Sequence, residues 1–151
     1  MAIALRDHRL NGGAPLSTAR TCYDHLAGRL GVAVFDALVD QAALCPIDPP
    51  SGAVRKVRSG LGPVGLGQAA AHVFGRLGVH IDAISRRPLA TACLDWTESR
   101  PHLASALGAA LCTAFLDQAW VVRRSGSRAL TISESGRQAL ASHLHMELPQ
   151  I

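Results

Sequence analysis

The sequence predicts a mainly α fold with small β-hairpins, an α+β architecture, and three features predict it. Apolar residues recur at helical spacing through Leu26, Leu30, Val34, Leu38 and Val39. Two β-prone runs flank the polar turn Ser125-Gly126-Ser127, and an order of helix, basic hairpin and helix occurs twice along the chain. Composition agrees with such a fold. The 151 residues are 48% hydrophobic and 17% charged, which suits one domain with a core and excludes a disordered tail. No apolar run of about 18 residues or more offers a membrane span. Arg6, Asp7 and Arg9 follow only a short apolar run, unlike a secretory leader, so a cytoplasmic protein without a membrane partner is expected.

Asn11-Gly12-Gly13-Ala14-Pro15 is a breaker cluster, which makes residues 1–16 a flexible leader. The stretch ARTCYDHLAG then reads as a helix start capped by Ser17, giving helices over about 17–29 and 31–43, with Gly28 and Gly31 marking a break or a close helix approach. Cys45-Pro46-Ile47-Asp48-Pro49-Pro50-Ser51-Gly52 must be a loop, and Ala53–Arg58 a short strand with basic outward positions. In the glycine-rich passage that follows, Pro63 suits a helix entry. In CLDWTESRPH, Thr97 or Ser99 reads as the cap of a helix with Pro101 in its first turn. That helix, His102 to Trp120, is nearly all apolar and small, which implies burial on most sides or a subunit interface, hence a homodimer. Val121–Ile132 reads as a hairpin and Ser133 to about His143 as the last helix.

Asp40-Gln41-Ala42 before the first basic strand matches Asp117-Gln118-Ala119 before the second, and Leu61-Gly62-Pro63-Val64-Gly65 stands in the place of Ile132-Ser133-Glu134-Ser135-Gly136. The repeat divides the chain into units 17–84 and 85–151, packed as one domain. Helix, hairpin and helix is the arrangement of a winged helix, here in two units of which the first is degenerate. ARTCYDHLAGRLGVAVFDALV, RRPLATACLDWTESRPHLASALGAAL and VVRRSGSRALTISESGRQAL closely resemble the carboxy-terminal region of long ArsR-type bacterial helix-turn-helix regulators, over about Ser17 to Leu140. The resemblance implies a transcriptional regulator that binds double-stranded DNA, or its detached sensory and dimerisation module, answering an unknown small-molecule effector. The alternative is a small-molecule or metal sensor that does not bind DNA by itself.

The net charge of +4 rests on arginine, with Lys56 the single lysine, and arginine is the better fork for phosphate. Arg55, Lys56 and Arg58, and likewise Arg123, Arg124 and Arg128, lie in hairpins free of intervening acids, the placement expected of residues contacting a DNA backbone. Cys22, Cys45, Cys93 and Cys112 form no Cys-x-x-Cys pair, so reduced thiols are expected rather than a disulfide scaffold or zinc ribbon. Cys22 and His25 share a helical face at a spacing of three, and with Cys93, Asp95 and His102 they supply a soft ligand set for zinc or copper. The competing reading makes them helix-cap and core residues. Trp96 and Trp120 read as core or interface anchors, with the wall of a pocket as the lesser reading, and Tyr23 as an interface or pocket residue. No oxyanion turn accompanies Cys22 and His25, and Gly60–Gly67 lacks the phosphate-loop order, so no enzyme is expected.

Overall fold

The computed structural model describes residues 18–46, 60–85 and 89–146. In chain order these form β1 (Arg20–Cys22), β2 (His25–Ala27), α1 (Gly28–Asp40), β3 (Leu44–Pro46), β4 (Gly60–Leu66) and α2 (Ala70–Arg76). A 3-10 turn at Ile81–Ala83 leads to β5 (Thr91–Leu94), β6 (Pro101–Ala104), α3 (Ser105–Asp117), β7 (Val121–Arg123), β8 (Leu130–Ile132) and α4 (Glu134–Leu144). The described residues therefore contain four helices and eight strands in three sheets, and this overturns the mainly α, winged-helix-like expectation: the fold is richer in sheet. The reason is local. Both stretches expected to start helices are hairpins instead, β1–β2 and β5–β6, and the helices begin only behind them.

In the first hairpin Cys22 pairs with His25 across a two-residue turn, with Tyr23 in the left-handed region at φ 57°. In the second, Cys93 pairs with His102 and Pro101 opens β6, so neither Thr97 nor Ser99 caps a helix. Pro63 lies within β4 and not at a helix entry. The Val121–Ile132 hairpin and the last helix form where periodicity placed them. Ser133 caps that helix, its Oγ accepting the Gly136 N–H at 2.9 Å. The expected strand Ala53–Arg58 lies outside the described residues.

Each half of the chain runs hairpin, helix, hairpin, helix, and the halves interlock. The second hairpin of the first half joins the first hairpin of the second half, giving the sheet β3-β4-β5-β6. Reciprocally, β1 meets the β7–β8 hairpin through the Arg20–Ala129 bridge and the Thr21 N–H donated to the Arg128 carbonyl at 3.0 Å. Among the described residues, both late hairpins are therefore paired with a strand of the other half. Helix α1 packs on β6 of the other half, and α3 on β2. The matched Asp-Gln-Ala segments are helix stops: Ala42 and Ala119 sit at φ 58° and 56°, and the N–H groups of Ala43 and Trp120 return to the carbonyls of Leu38 and Phe115. In register Gly67 answers to Ser133, the residue that follows each hairpin's last strand: the Gly67 N–H donates to the Ala43 carbonyl and the Ser133 N–H to the Trp120 carbonyl, both at 3.0 Å.

The core draws on both halves through Leu30, Leu38, Phe74, Leu107, Phe115 and Leu140, all fully buried. The apolar character of α3 is spent inside the chain, where Ala106, Leu107, Leu111 and Phe115 are buried. Two glycines let α1 and α3 close tightly on the strand that leads into each, and both face the histidine of the other half. A Cβ on Gly31 would lie 2.5 Å from the Leu26 oxygen and 3.4 Å from the His102 Cβ; on Gly108 it would lie 2.7 Å from the Leu103 oxygen and 3.3 Å from the His25 Cβ. Gly31→Ala or Gly108→Ala should therefore destabilise by about 1–3 kcal/mol through overpacking against backbone. Gly75→Ala, in α2 with open space around it, should instead stabilise by about 0.5–1 kcal/mol. Urea unfolding of the three variants measures the contrast, and equal effects at Gly31 and Gly75 would contradict the close approach.

Candidate metal centre

The interlock brings Cys22, His25, Cys93 and His102 together, with one potential ligand atom from each lying within 4.8 Å of the others. Two cross-strand Cys–His pairs, one from each half, thus face each other. The spacing of three between Cys22 and His25 does bring them together, but across a hairpin and not along a helical face. His25 and His102 are buried, whereas Cys22 and Cys93 are partly exposed. The imidazoles form the inner side of the group and the sulfurs its solvent edge.

Both imidazoles are aimed by carboxylates. His102 Nδ1 donates to Asp95 Oδ2 at 2.9 Å, and His25 Nδ1 donates to Asp24 Oδ1 at 3.2 Å. With each Nδ1 proton committed to a carboxylate, both Nε2 lone pairs point inward, and the two Nε2 atoms lie 3.1 Å apart. Lone pairs so close repel unless a cation or shared proton lies between them. Burial lowers the His25 pKa, against the Asp24 hydrogen bond that raises it and with the neighbouring His102 lowering it further, so a proton is held poorly there. A carboxylate behind each imidazole is the usual outer shell of a histidine metal ligand.

Asp95 does more than orient His102. Its Oδ2 also accepts the Gly28 N–H at 2.7 Å, at the start of α1, and its Oδ1 accepts from Thr97 Oγ1 at 2.7 Å and from Arg20 Nη2 at 3.1 Å. Arg20 is fully buried, donates from Nη1 to Thr97 Oγ1 at 3.0 Å, and stacks 4.4 Å from the Trp96 ring centre. Burial pushes the Asp95 carboxyl up, but His102, Thr97, the Gly28 N–H and Arg20 together hold it far below the usual carboxylate range. The same turn grips α1 further along, through Arg29–Glu98 at 3.7 Å and Arg100–Asp36 at 2.5 Å.

Among the other residues singled out from sequence, Trp120 is buried edge-on to Phe115, while Tyr23 and Trp96 are exposed on the two hairpin turns. Arg123, Arg124 and Arg128 are exposed on the β7–β8 hairpin; Arg55, Lys56 and Arg58 lie outside the described residues. Cys112 is buried, and burial pushes its thiol up to about 11. An open cavity of about 460 Å³ between α3 and residues 78–85 shares no lining residue with the Cys/His group. The close approach expected at Gly31 is present, whereas Arg20 and Gly108 escaped the sequence reading; a signal existed for Gly108, since His25-Leu26-Ala27 with Leu30-Gly31 returns as His102-Leu103-Ala104 with Leu107-Gly108.

No family model matches the sequence, and no solved structure matches it. Over 135 residues, 88% of this chain, it is 38% identical to the uncharacterized HTH-type transcriptional regulator YdfF of Bacillus subtilis (strain 168). The chain spans 54% of that protein's length. The likeness relates this chain to a transcription regulator.

Asp95→Asn should cost about 3–5 kcal/mol at neutral pH, because it leaves the Arg20 charge buried and unpaired. The acid dependence follows in sign. The folded carboxyl binds its proton more weakly than the unfolded one, so its contribution is present above the unfolded pKa of about 3.9 and is lost as pH falls below it. Chemical denaturation from pH 7 to 3 should show the gap between wild type and Asp95→Asn closing toward the acid end. A constant gap would show that ionised Asp95 is not the source.

Proposed function

We propose that this chain is the metal-sensing part of a transcription regulator, binding one thiophilic ion, zinc in preference to copper, through Cys22, His25, Cys93 and His102. The observation that carries the reading is the convergence of those four side chains, two from each half of the chain. The donor set suits zinc. A tetrahedral ion with Zn–N of about 2.0–2.1 Å separates two nitrogens by roughly 3.3–3.4 Å, and at Zn–S of about 2.3 Å it separates two sulfurs by roughly 3.8 Å. The imidazole nitrogens already stand 3.1 Å apart, so the sulfurs need only a modest inward adjustment. Charge also balances: two thiolates neutralise a divalent ion, and Arg20 neutralises Asp95 behind it. Asp24 and Asp95 act behind the imidazoles and not as ligands.

The resemblance to the carboxy-terminal region of long ArsR-type regulators and the likeness to YdfF support placing this module in a regulator whose DNA-reading part is separate from it. Binding across the interlock ties β1–β2 to β5–β6, so occupancy stiffens the contact between halves. The reduced protein should take up one zinc per chain, and at a free concentration about a hundredfold above Kd the ion should add about 2.7 kcal/mol of stability. Cys22→Ser or His102→Ala should remove most of this gain. Elemental analysis of the purified protein and thermal unfolding with and without zinc test the reading; metal-free protein whose unfolding is unmoved by zinc or copper(I) would overturn it.

The exposed arginine hairpin favours a second, additive role. Arg123, Arg124 and Arg128 present three guanidinium groups on one turn and supply affinity for duplex phosphate without reading sequence. Binding to random duplex DNA should weaken steeply with salt and fall when all three become alanine. Absence of binding at low salt would leave the sensing role alone.

A further inference from the structure

We infer that Cys22 and Cys93 form a redox switch on this centre: a hydroperoxide links them as a disulfide and thereby expels the metal. The inference rests on the metal-binding reading above. The four ligands are unequal in a way that metal binding does not require. Both imidazoles are buried and backed by carboxylates, so the nitrogen side is shut to solvent, whereas the two partly exposed cysteines offer sulfur to an incoming oxidant. The sulfurs belong to different hairpins and different halves, yet lie within 4.8 Å of one another with no disulfide joining them. A disulfide needs about 2.05 Å, and rotation about the two Cα–Cβ bonds supplies movement of that order at strand positions beside turns.

The chemistry balances with the hydroperoxide as the two-electron oxidant. One thiolate attacks the terminal peroxide oxygen and breaks the O–O bond; the alkoxide takes a proton and leaves as alcohol, or as water when the oxidant is hydrogen peroxide. The resulting sulfenic acid is attacked by the second thiolate, which forms the S–S bond, and the departing hydroxide takes a second proton to leave as water. Two sulfurs are oxidised, one peroxide is reduced and two protons are consumed. The remaining imidazoles are neutral ligands that cannot offset a divalent charge in a buried setting, so the ion departs. Cys112 is shut inside the core, and Cys45 stands exposed outside the group, which makes it an internal control.

The experiment uses the full chain, reduced and loaded with zinc, titrated with hydrogen peroxide in the presence of a chromogenic zinc chelator. Zinc uptake by the reduced protein is measured first. One zinc should be released per disulfide formed, non-reducing peptide mapping should find the Cys22–Cys93 link, and dithiothreitol with zinc should restore the starting state. Cys45→Ser should behave as wild type. His102→Ala, which keeps both thiols, should still form the link. A reduced protein that takes up no zinc overturns the metal reading and this inference with it. A protein that binds zinc but keeps it while Cys45 is oxidised, or releases it without a Cys22–Cys93 link, overturns the switch alone.

Discussion

The buried carboxylate of Asp95 is the interaction on which the arrangement depends. It joins four parts of the chain at once: Arg20 on β1, the first N–H of α1 at Gly28, Thr97 in its own turn and His102 on β6. Each partner would be costly to bury alone. A guanidinium with no counter-charge, an orphan helix N–H and an unaimed imidazole each carry a desolvation penalty, and one carboxylate offsets all three. The order of construction follows: the ion pair lets β1 lie inside, and β1 inside places Cys22 against the other half.

The two halves follow one plan but are not equal. The first hairpin turns in two residues, whereas the second uses the longer turn through Asp95 and Arg100, and that length lets the second turn reach back along α1 to Gly28, Arg29 and Asp36. The first turn makes its hydrogen bond to its own neighbour, Asp24 holding His25. One imidazole is therefore fixed by a fully buried network and the other by a half-exposed carboxylate. The glycines supply the symmetric part of the design, each helix yielding room for the histidine of the opposite half.

Much of this was legible where the pattern is long. The apolar spacing of α1 and α3, the polar turn between β7 and β8 and the Ser133 cap each carry their own local physics, and the structure has them there. The short hairpins were not legible, because strands of three or four residues leave too few positions for a period of two to outvote a period of 3.6. Cys22 and His25 show the ambiguity well: residues three apart meet on a helix, but they also face each other across a two-residue turn. The chemical pairing survives the change of backbone. Arg20 was beyond local reasoning, since its burial is made tolerable by a carboxylate 75 positions along the chain.

The interlock also explains why the Cys/His group sits where the halves cross and not within either one. A single hairpin can present one sulfur and one nitrogen on one face, which is half of a tetrahedral set. Completing the set requires a second, oppositely directed hairpin at van der Waals distance. The swapped packing of α1 on β6 and α3 on β2 achieves this, with Gly31 and Gly108 facing the histidine of the other half and closing each helix on its own preceding strand. The repeated His-Leu-Ala and Leu-Gly segments are thus one device used twice: the histidine is the side chain that one half brings to the Cys/His group, and the glycine faces the histidine of the other.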